Sequence, residues 1–260
     1  MSGAPGALRF GAGSGRRSED GPLLTGRGRF TDDVDLPGQV HAVFVRSPIA
    51  HAVIRGVDPA PALALPGVLA VFPGRDLSAA GLGAIPPAAA FPGRGGRPLA
   101  SAPIPPLAVD RVRHVGEAVA VVVAETPARA ADGAAAVVLD LDPLPACADV
   151  ERALAPGAPV IWPAAPGNVA FDWTDGDPAT LEAAFRGAAH VARVRLLDTR
   201  LAPAALEPRA AIGQWDEAAG RYTLTASTQG VAVVRRLLAE GVFGIPPGEL
   251  RVLTHDVGGG

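Results

Sequence analysis

Two short segments near the carboxyl end carry the residue types best suited to holding a ligand: Ser227-Thr228-Gln229-Gly230 and His255-Asp256-Val257-Gly258-Gly259-Gly260. The first places a neutral amide beside two hydroxyls. The second ends in three residues without side chains, the kind of ribbon that lets a backbone approach a ligand closely. Tyr222 to Ala226 and Leu250 to Thr254 read as strands leading into these segments, and Val231, Val234, Leu237 and Leu238 share one face of a helix ending near Gly241 or Gly244. Thr228 and Gln229 are therefore expected at a strand-to-helix junction. There, side chains at the carboxyl end of a strand and the free N–H groups of the following helix converge on a cleft suited to an oxo or phosphate group.

Other reactive residue types carry less. His41, His51, His114, His190 and His255 show no close metal-ligand spacing, so each is expected as a surface or packed imidazole. His255 and Asp256, as neighbours on a strand, point to opposite faces and are not expected to act together. Asp32, Asp33 and Asp35 read as a solvated turn before Leu36-Pro37-Gly38, and Glu207-Pro208-Arg209 as a bend fixed by a local ion pair. Cys147 stands alone, which excludes an internal disulfide or a cluster of several thiolates and leaves it a small buried hydrophobe. The glycines at 11, 13 and 15 and at 26 and 28 neither follow a strand nor open a helix, so nucleotide binding is set aside.

The elements that must position these residues are punctuated by 32 glycines and 27 prolines in 260 residues. One cluster, Gly81 to Pro106, reads as a long surface excursion, and another, Pro156 to Pro166, as a domain boundary. Val40 to Val45, Val53 to Val57, Val68 to Phe72 and Ala118 to Val123 are strand-length, β-branched runs. Thr126-Pro127 and Asp177-Pro178 each supply a cap and a first-turn proline, ahead of helices over Ala128 to Ala136 and Leu181 to Ala188 that are expected to cover a sheet. Ala211 to Trp215 and Tyr222 to Ala226 flank a turn-sized insert and predict a β-hairpin. The fold class is α+β.

A net charge of −3, spread without a basic block, predicts no binding to nucleic acid or anionic lipid. No apolar run approaches the roughly 18 residues of a membrane span. The first 19 residues, lacking the apolar core of a secretory signal, are expected to be a loose lead-in, with the cytoplasm as the expected location.

The order of short motifs along the chain adds a resemblance. Thr25-Gly26-Arg27-Gly28-Arg29-Phe30-Thr31-Asp32-Asp33, His41 to Ala52 around Arg46-Ser47-Pro48, and Val109 to Ala120 around Val115-Gly116-Glu117 come first. Asp142-Pro143-Leu144-Pro145, Leu206-Glu207-Pro208-Arg209, Ser227-Thr228-Gln229-Gly230 and Asp256-Val257-Gly258-Gly259-Gly260 follow. Together they resemble, over roughly residues 20 to 260, the large molybdenum-binding subunit of the xanthine dehydrogenase and aldehyde oxidase family, including its carbon monoxide dehydrogenase branch.

The resemblance implies a lead-in over 1–19, an α/β-hammerhead domain over 20–155, a linker over 156–166 and the truncated start of a molybdenum-cofactor domain over 167–260. It implies a molybdopterin cofactor carrying Mo, in the cytosine dinucleotide form, with FAD and [2Fe–2S] clusters on partner subunits. Relatives hydroxylate a carbon centre of an aldehyde, an N-heterocycle or carbon monoxide, with water as the oxygen source. Gln229 matches the glutamine that hydrogen-bonds a molybdenum oxygen ligand, and Gly258, Gly259 and Gly260 match the start of the glycine loop bordering the cofactor. No catalytic or metal-ligating residue transfers. The family's catalytic glutamate belongs to a later segment, so this chain is expected to be inactive without the carboxyl-terminal portion of the large subunit.

Val231-Ala232 stands where relatives usually carry Pro-His, and Asp198-Thr199-Arg200 where an amide-bearing pair is common. The alternative reading is a non-catalytic hammerhead module that binds a protein partner through apolar edge and face positions such as Leu224 and Val252.

Overall fold

The computed structural model describes residues 17–87, 92–102, 104–198 and 201–259. The lead-in up to residue 16, with its glycines at 11, 13 and 15, and Gly260 lie outside the described residues.

The first half is built on the run Ala118–Ala124 (β5), which pairs antiparallel with His41–Arg46 (β1) on one side and Val68–Pro73 (β3) on the other. β5 is nearly continuous Ala and Val because both of its faces are covered. Val119, Ala120, Val122 and Ala124 are all fully buried. The helix Pro127–Ala136 covers one face, capped where the Thr126 side chain accepts a hydrogen bond from Arg129 N–H at 3.3 Å. Small residues let it come close: a Cβ on Gly133 would lie 2.9 Å from methyl groups of both Val122 and Val68.

The second sheet has Ala52–Asp58 (β2) at its centre, antiparallel to Arg111–Val112 (β4) and to Val138–Pro143 (β6). A single apolar cluster joins the two sheets: Val45, Ala52, Val57, Val71, Val112, Val119 and Val122 pack together, with Leu139 and Leu141 of β6 against them. At the start of β2, buried His51 holds the chain beyond β6. Its Nδ1 lies 2.8 Å from the Pro145 carbonyl, and its own carbonyl accepts Leu144 N–H at 2.8 Å.

The third sheet contains the expected hairpin. Ala211–Asp216 (β7) pairs antiparallel with Arg221–Ala226 (β8), the turn closing through Gly220 at φ 60°, a left-handed position that glycine tolerates best. From β8 the chain crosses through a helix over Val231–Arg236 that widens to π-helical turns over Leu237–Phe243 and stops at left-handed Gly244. It returns as Leu250–Leu253 (β9), parallel to β8, with Tyr222 opposite Leu250 and Thr225 opposite Leu253.

Three expectations are corrected. The helix Pro178–Gly187 is capped by Asp177 as read, with the carboxylate accepting Ala179 and Thr180 N–H at 3.1 Å, yet every one of its residues is exposed and it covers no sheet. Capping is a local signal, whereas burial needs a partner surface, and the segment 189–198 that follows belongs to no helix or strand and is itself exposed. The excursion from Gly81 has no buried residue among those described and so lies at the surface as read, tied to the later half through Gly83 N–H to Val242 O at 2.7 Å, Arg94 N–H to Asp172 O at 2.7 Å and Ala100 N–H to Ala170 O at 2.8 Å. Cys147 is half-buried, its Sγ 3.5 Å from the Asp149 carbonyl. Leu224 and Val252 are half-buried too, whereas the neighbouring Trp215 is 54 % exposed.

No described helix is long and apolar enough to cross a membrane.

Candidate functional site

Parallel pairing of β8 and β9 sends both of their carboxyl ends to the same edge of the sheet, and the two glycine-bearing segments leave from that edge. They remain together beyond it. The Ser227 hydroxyl lies 3.5 Å from the Gly259 carbonyl oxygen, 32 residues away in sequence. Thr228 Oγ1 accepts Gly230 N–H at 3.2 Å, and the Gly230 carbonyl accepts Val234 N–H at 3.0 Å, so the first turn of the helix is set by the same short segment.

Gln229, at the tip of this bend, is exposed, and its amide makes no hydrogen bond to any described residue. An amide in that state is available as a neutral donor and acceptor beside a loop that lacks side chains. Gly260 lies outside the described residues, so the described part of the loop is Gly258 and Gly259, both half-buried.

Neither of these glycines has positive φ, so steric freedom along the backbone is not their reason. Crowding is. A Cβ on Gly258 would come within 2.6 Å of Glu207 Cβ, and one on Gly259 would overlap Ala205 Cβ. The loop is thus pressed onto the Ala205–Glu207 turn.

Glu207 holds that contact, a role the sequence reading missed. Its carboxylate accepts Gly258 N–H at 2.7 Å through one oxygen and Thr31 N–H at 3.3 Å through the other, and Glu207 N–H reaches the Gly258 carbonyl at 3.5 Å. The expected pairing with Arg209 is corrected: no described ion pair includes either residue. Two backbone donors stand where the cation was expected, Gly258 N–H on one carboxylate oxygen and Thr31 N–H on the other. The Gly258 hydrogen bond, then the Ser227 hydroxyl, holds the Glu207 carboxyl below the usual carboxylate range, against the opposing effect of desolvation. No local signal in the sequence points to it, because its partners lie 51 and 176 residues away and the nearby Arg209 suggests a local ion pair instead.

Asp256 repeats the device one step away. Its carboxylate accepts Arg29 N–H at 2.7 Å while its own N–H donates to the Arg29 carbonyl at 3.0 Å, as a strand pair would. The ribbon 28–31 is thereby fixed to the segment after β9. His255 is exposed and stands apart from this pairing. No group of three or more His, Cys, Asp or Glu among the described residues could hold a metal ion.

The family model described as "Aldehyde oxidase and xanthine dehydrogenase, a/b hammerhead domain" matches residues 25–145, and the model described as "Molybdopterin cofactor-binding domain" matches residues 161–260. The chain is 36 % identical over 248 residues to the nicotine 6-hydroxylase large subunit of Paenarthrobacter nicotinovorans, with 94 % of this chain and 29 % of that protein covered. It is 32 % identical over 254 residues to the carbon monoxide dehydrogenase large chain of Hydrogenophaga pseudoflava, covering 93 % and 30 %. Among solved structures, reconstituted CO dehydrogenase from Oligotropha carboxidovorans superposes with a TM-score of 0.80 at 32 % identity, over 94 % of this chain and 30 % of that one. Quinoline 2-oxidoreductase from Pseudomonas putida 86 gives 0.78 at 34 % identity over the same shares. The chain thus spans about 30 % of the length of these relatives.

Proposed function

Because the chain belongs to the aldehyde oxidase and xanthine dehydrogenase family, with its hammerhead domain ahead of the opening of its molybdopterin cofactor-binding domain, we propose that it supplies one wall of the cofactor pocket in a molybdenum hydroxylase large subunit. In this reading the hammerhead domain covers residues 20–155, a linker covers 156–166 and the cofactor domain begins at 167. Gln229 donates its amide to an oxygen ligand of the metal, and Gly258, Gly259 and Gly260 border the pterin.

The observation that carries the proposal is the Ser227–Gly259 contact, which keeps Gln229 and the glycine loop on one sheet edge. The donor set fits the group. An uncommitted neutral amide can hold an oxygen ligand without displacing it, and backbone without side chains admits a flat, polar cofactor. Gly258 N–H is already committed to Glu207 and is not among the donors offered to the ligand. When bound, molybdopterin supplies the Lewis acidity and electron-accepting capacity that hydroxylation of a carbon centre requires. The part of this chain is to orient and enclose it.

The opposite wall and the base for proton transfer belong, in this proposal, to polypeptide corresponding to the remaining length of the relatives. Val194, Leu196, Leu197, Leu201 and Leu206, each at least 70 % exposed, support this: so much apolar surface on one ribbon calls for a covering partner. The substrate class is an N-heterocycle, an aldehyde or carbon monoxide, oxidised with water as the oxygen source. The cytosine dinucleotide form of the pterin, FAD and [2Fe–2S] clusters on companion subunits, and a cytoplasmic location are parts of the same proposal.

Co-expression of the chain with that further polypeptide and the companion subunits tests it. The expected result is a complex that retains molybdenum and pterin. A metal-free chain that stays monomeric and soluble, and gains nothing from the added polypeptide, would instead support a free-standing protein-binding module.

A further inference from the structure

Four segments distant in sequence meet beside the sheet edge: 28–31, 205–207, 227–229 and 256–259. A single side chain is hydrogen-bonded to two of the others. Glu207 is 8 % exposed and has both carboxylate oxygens occupied by backbone N–H groups, one from Thr31, 176 residues away, and one from Gly258, 51 residues away. The Ser227 hydroxyl, from the segment that carries Gln229, favours its ionised form. No described Arg or His side chain comes within ion-pairing distance of it.

A carboxylate with no cationic partner that gathers backbone donors acts as a geometric template. Unlike an amide, it presents acceptors only, so it can serve two N–H groups at once from two directions. We propose that Glu207 is a positioning residue, an acceptor-only clamp that fixes the glycine loop against the exit of β8 and so sets the distance between that loop and Gln229. This deepens the cofactor-wall reading and rests on it for the purpose of the clamp, though not for its existence.

The surroundings assign the role to Glu207 alone. Asp256 is engaged with Arg29, and Asp33 accepts Phe30 N–H at 3.0 Å, so the other carboxylates nearby are committed to the ribbon 28–33. Asp32 and His255 are exposed, and Arg209 makes no described ion pair. Phe30 packs over the loop, where a Cβ on Gly258 would come within 3.3 Å of its ring, which limits water access to the clamp.

Hydrogen exchange read by mass spectrometry tests the clamp on the chain, alone or in complex with the polypeptide it requires. Glu207→Gln replaces one acceptor with a donor facing an N–H, so exchange in the peptides covering 28–34 and 254–259 should speed by about tenfold or more, while β1, β5 and the β7–β8 hairpin keep their protection. Arg209→Ala should change neither peptide. In the unmutated chain, protection of these two peptides, corrected for intrinsic exchange, should weaken as the pH is lowered from 6 to 3, and Glu207→Gln should reduce that dependence in the 254–259 peptide, whose Gly258 N–H it holds, while 28–34 keeps the part due to Asp33 and Asp256. Unchanged protection in Glu207→Gln, or a loss spread evenly over the whole third sheet, would overturn the proposal. Gln229→Ala should leave both peptides protected. If Glu207→Gln frees the loop but the complete complex keeps its molybdenum, the clamp stands and the cofactor-wall reading fails.

Discussion

The Glu207 carboxylate and the Gly258 amide, 51 residues apart in sequence, are joined by a 2.7 Å hydrogen bond, and the glycine at 258 is what makes their approach possible. The pair links a turn before the third sheet to the loop after its last strand.

Gly258→Ala should therefore be costly even though its backbone angles suit any residue. The added methyl would sit 2.6 Å from Glu207 Cβ, so the loop or the turn must move, and overpacking of this kind costs roughly 1–3 kcal/mol. Urea denaturation of the two proteins measures the loss, and an unchanged midpoint would mean the loop has room that the structure denies it.

The pH dependence of stability has a defined sign. Glu207 has its folded pKa depressed, so its contribution is fully present above the unfolded value of about 4.3 and is lost as pH falls through the lower, folded value. The stability difference between the unmutated chain and Glu207→Gln should shrink as denaturation is repeated from pH 6 down to pH 3. A difference that grows toward low pH would contradict the assignment.

In the first half, Val122→Ala should destabilise the chain by about 2–3 kcal/mol, because this fully buried side chain lies under the helix Pro127–Ala136. Gly133→Ala runs against helix propensity. Alanine is favoured there by roughly 1 kcal/mol, yet its methyl would press on Val122 and Val68 at 2.9 Å, and the net change should be a loss of stability. Thermal or chemical denaturation settles the sign.

Much of the framework was legible because its signals are local. The capped helix starts at Thr126 and Asp177, the β-branched run of β5 and the glycine at the hairpin turn each depend on residues a few positions apart. β6 went unread although Leu139 and Leu141 alternate with Asp140 and Asp142, because the adjoining prolines mask a short strand. What sequence could not supply was long-range partnership. Nothing in Leu206-Glu207-Pro208 announces that its carboxylate is matched to amides 51 and 176 residues distant. Likewise, the apolar pattern of Pro178–Gly187 predicts a covering helix, while its burial depends on a surface the described residues do not provide.

The most direct measurement is the molybdenum content of the complete subunit carrying Gln229→Ala, taken with its thermal midpoint and turnover. Gln229 is exposed and makes no hydrogen bond within the described chain, so its replacement should leave the midpoint unchanged while molybdenum retention or turnover falls by about tenfold, the value of one charge-assisted hydrogen bond. Full metal content with undiminished turnover in that variant would contradict the placement of Gln229 on the cofactor wall.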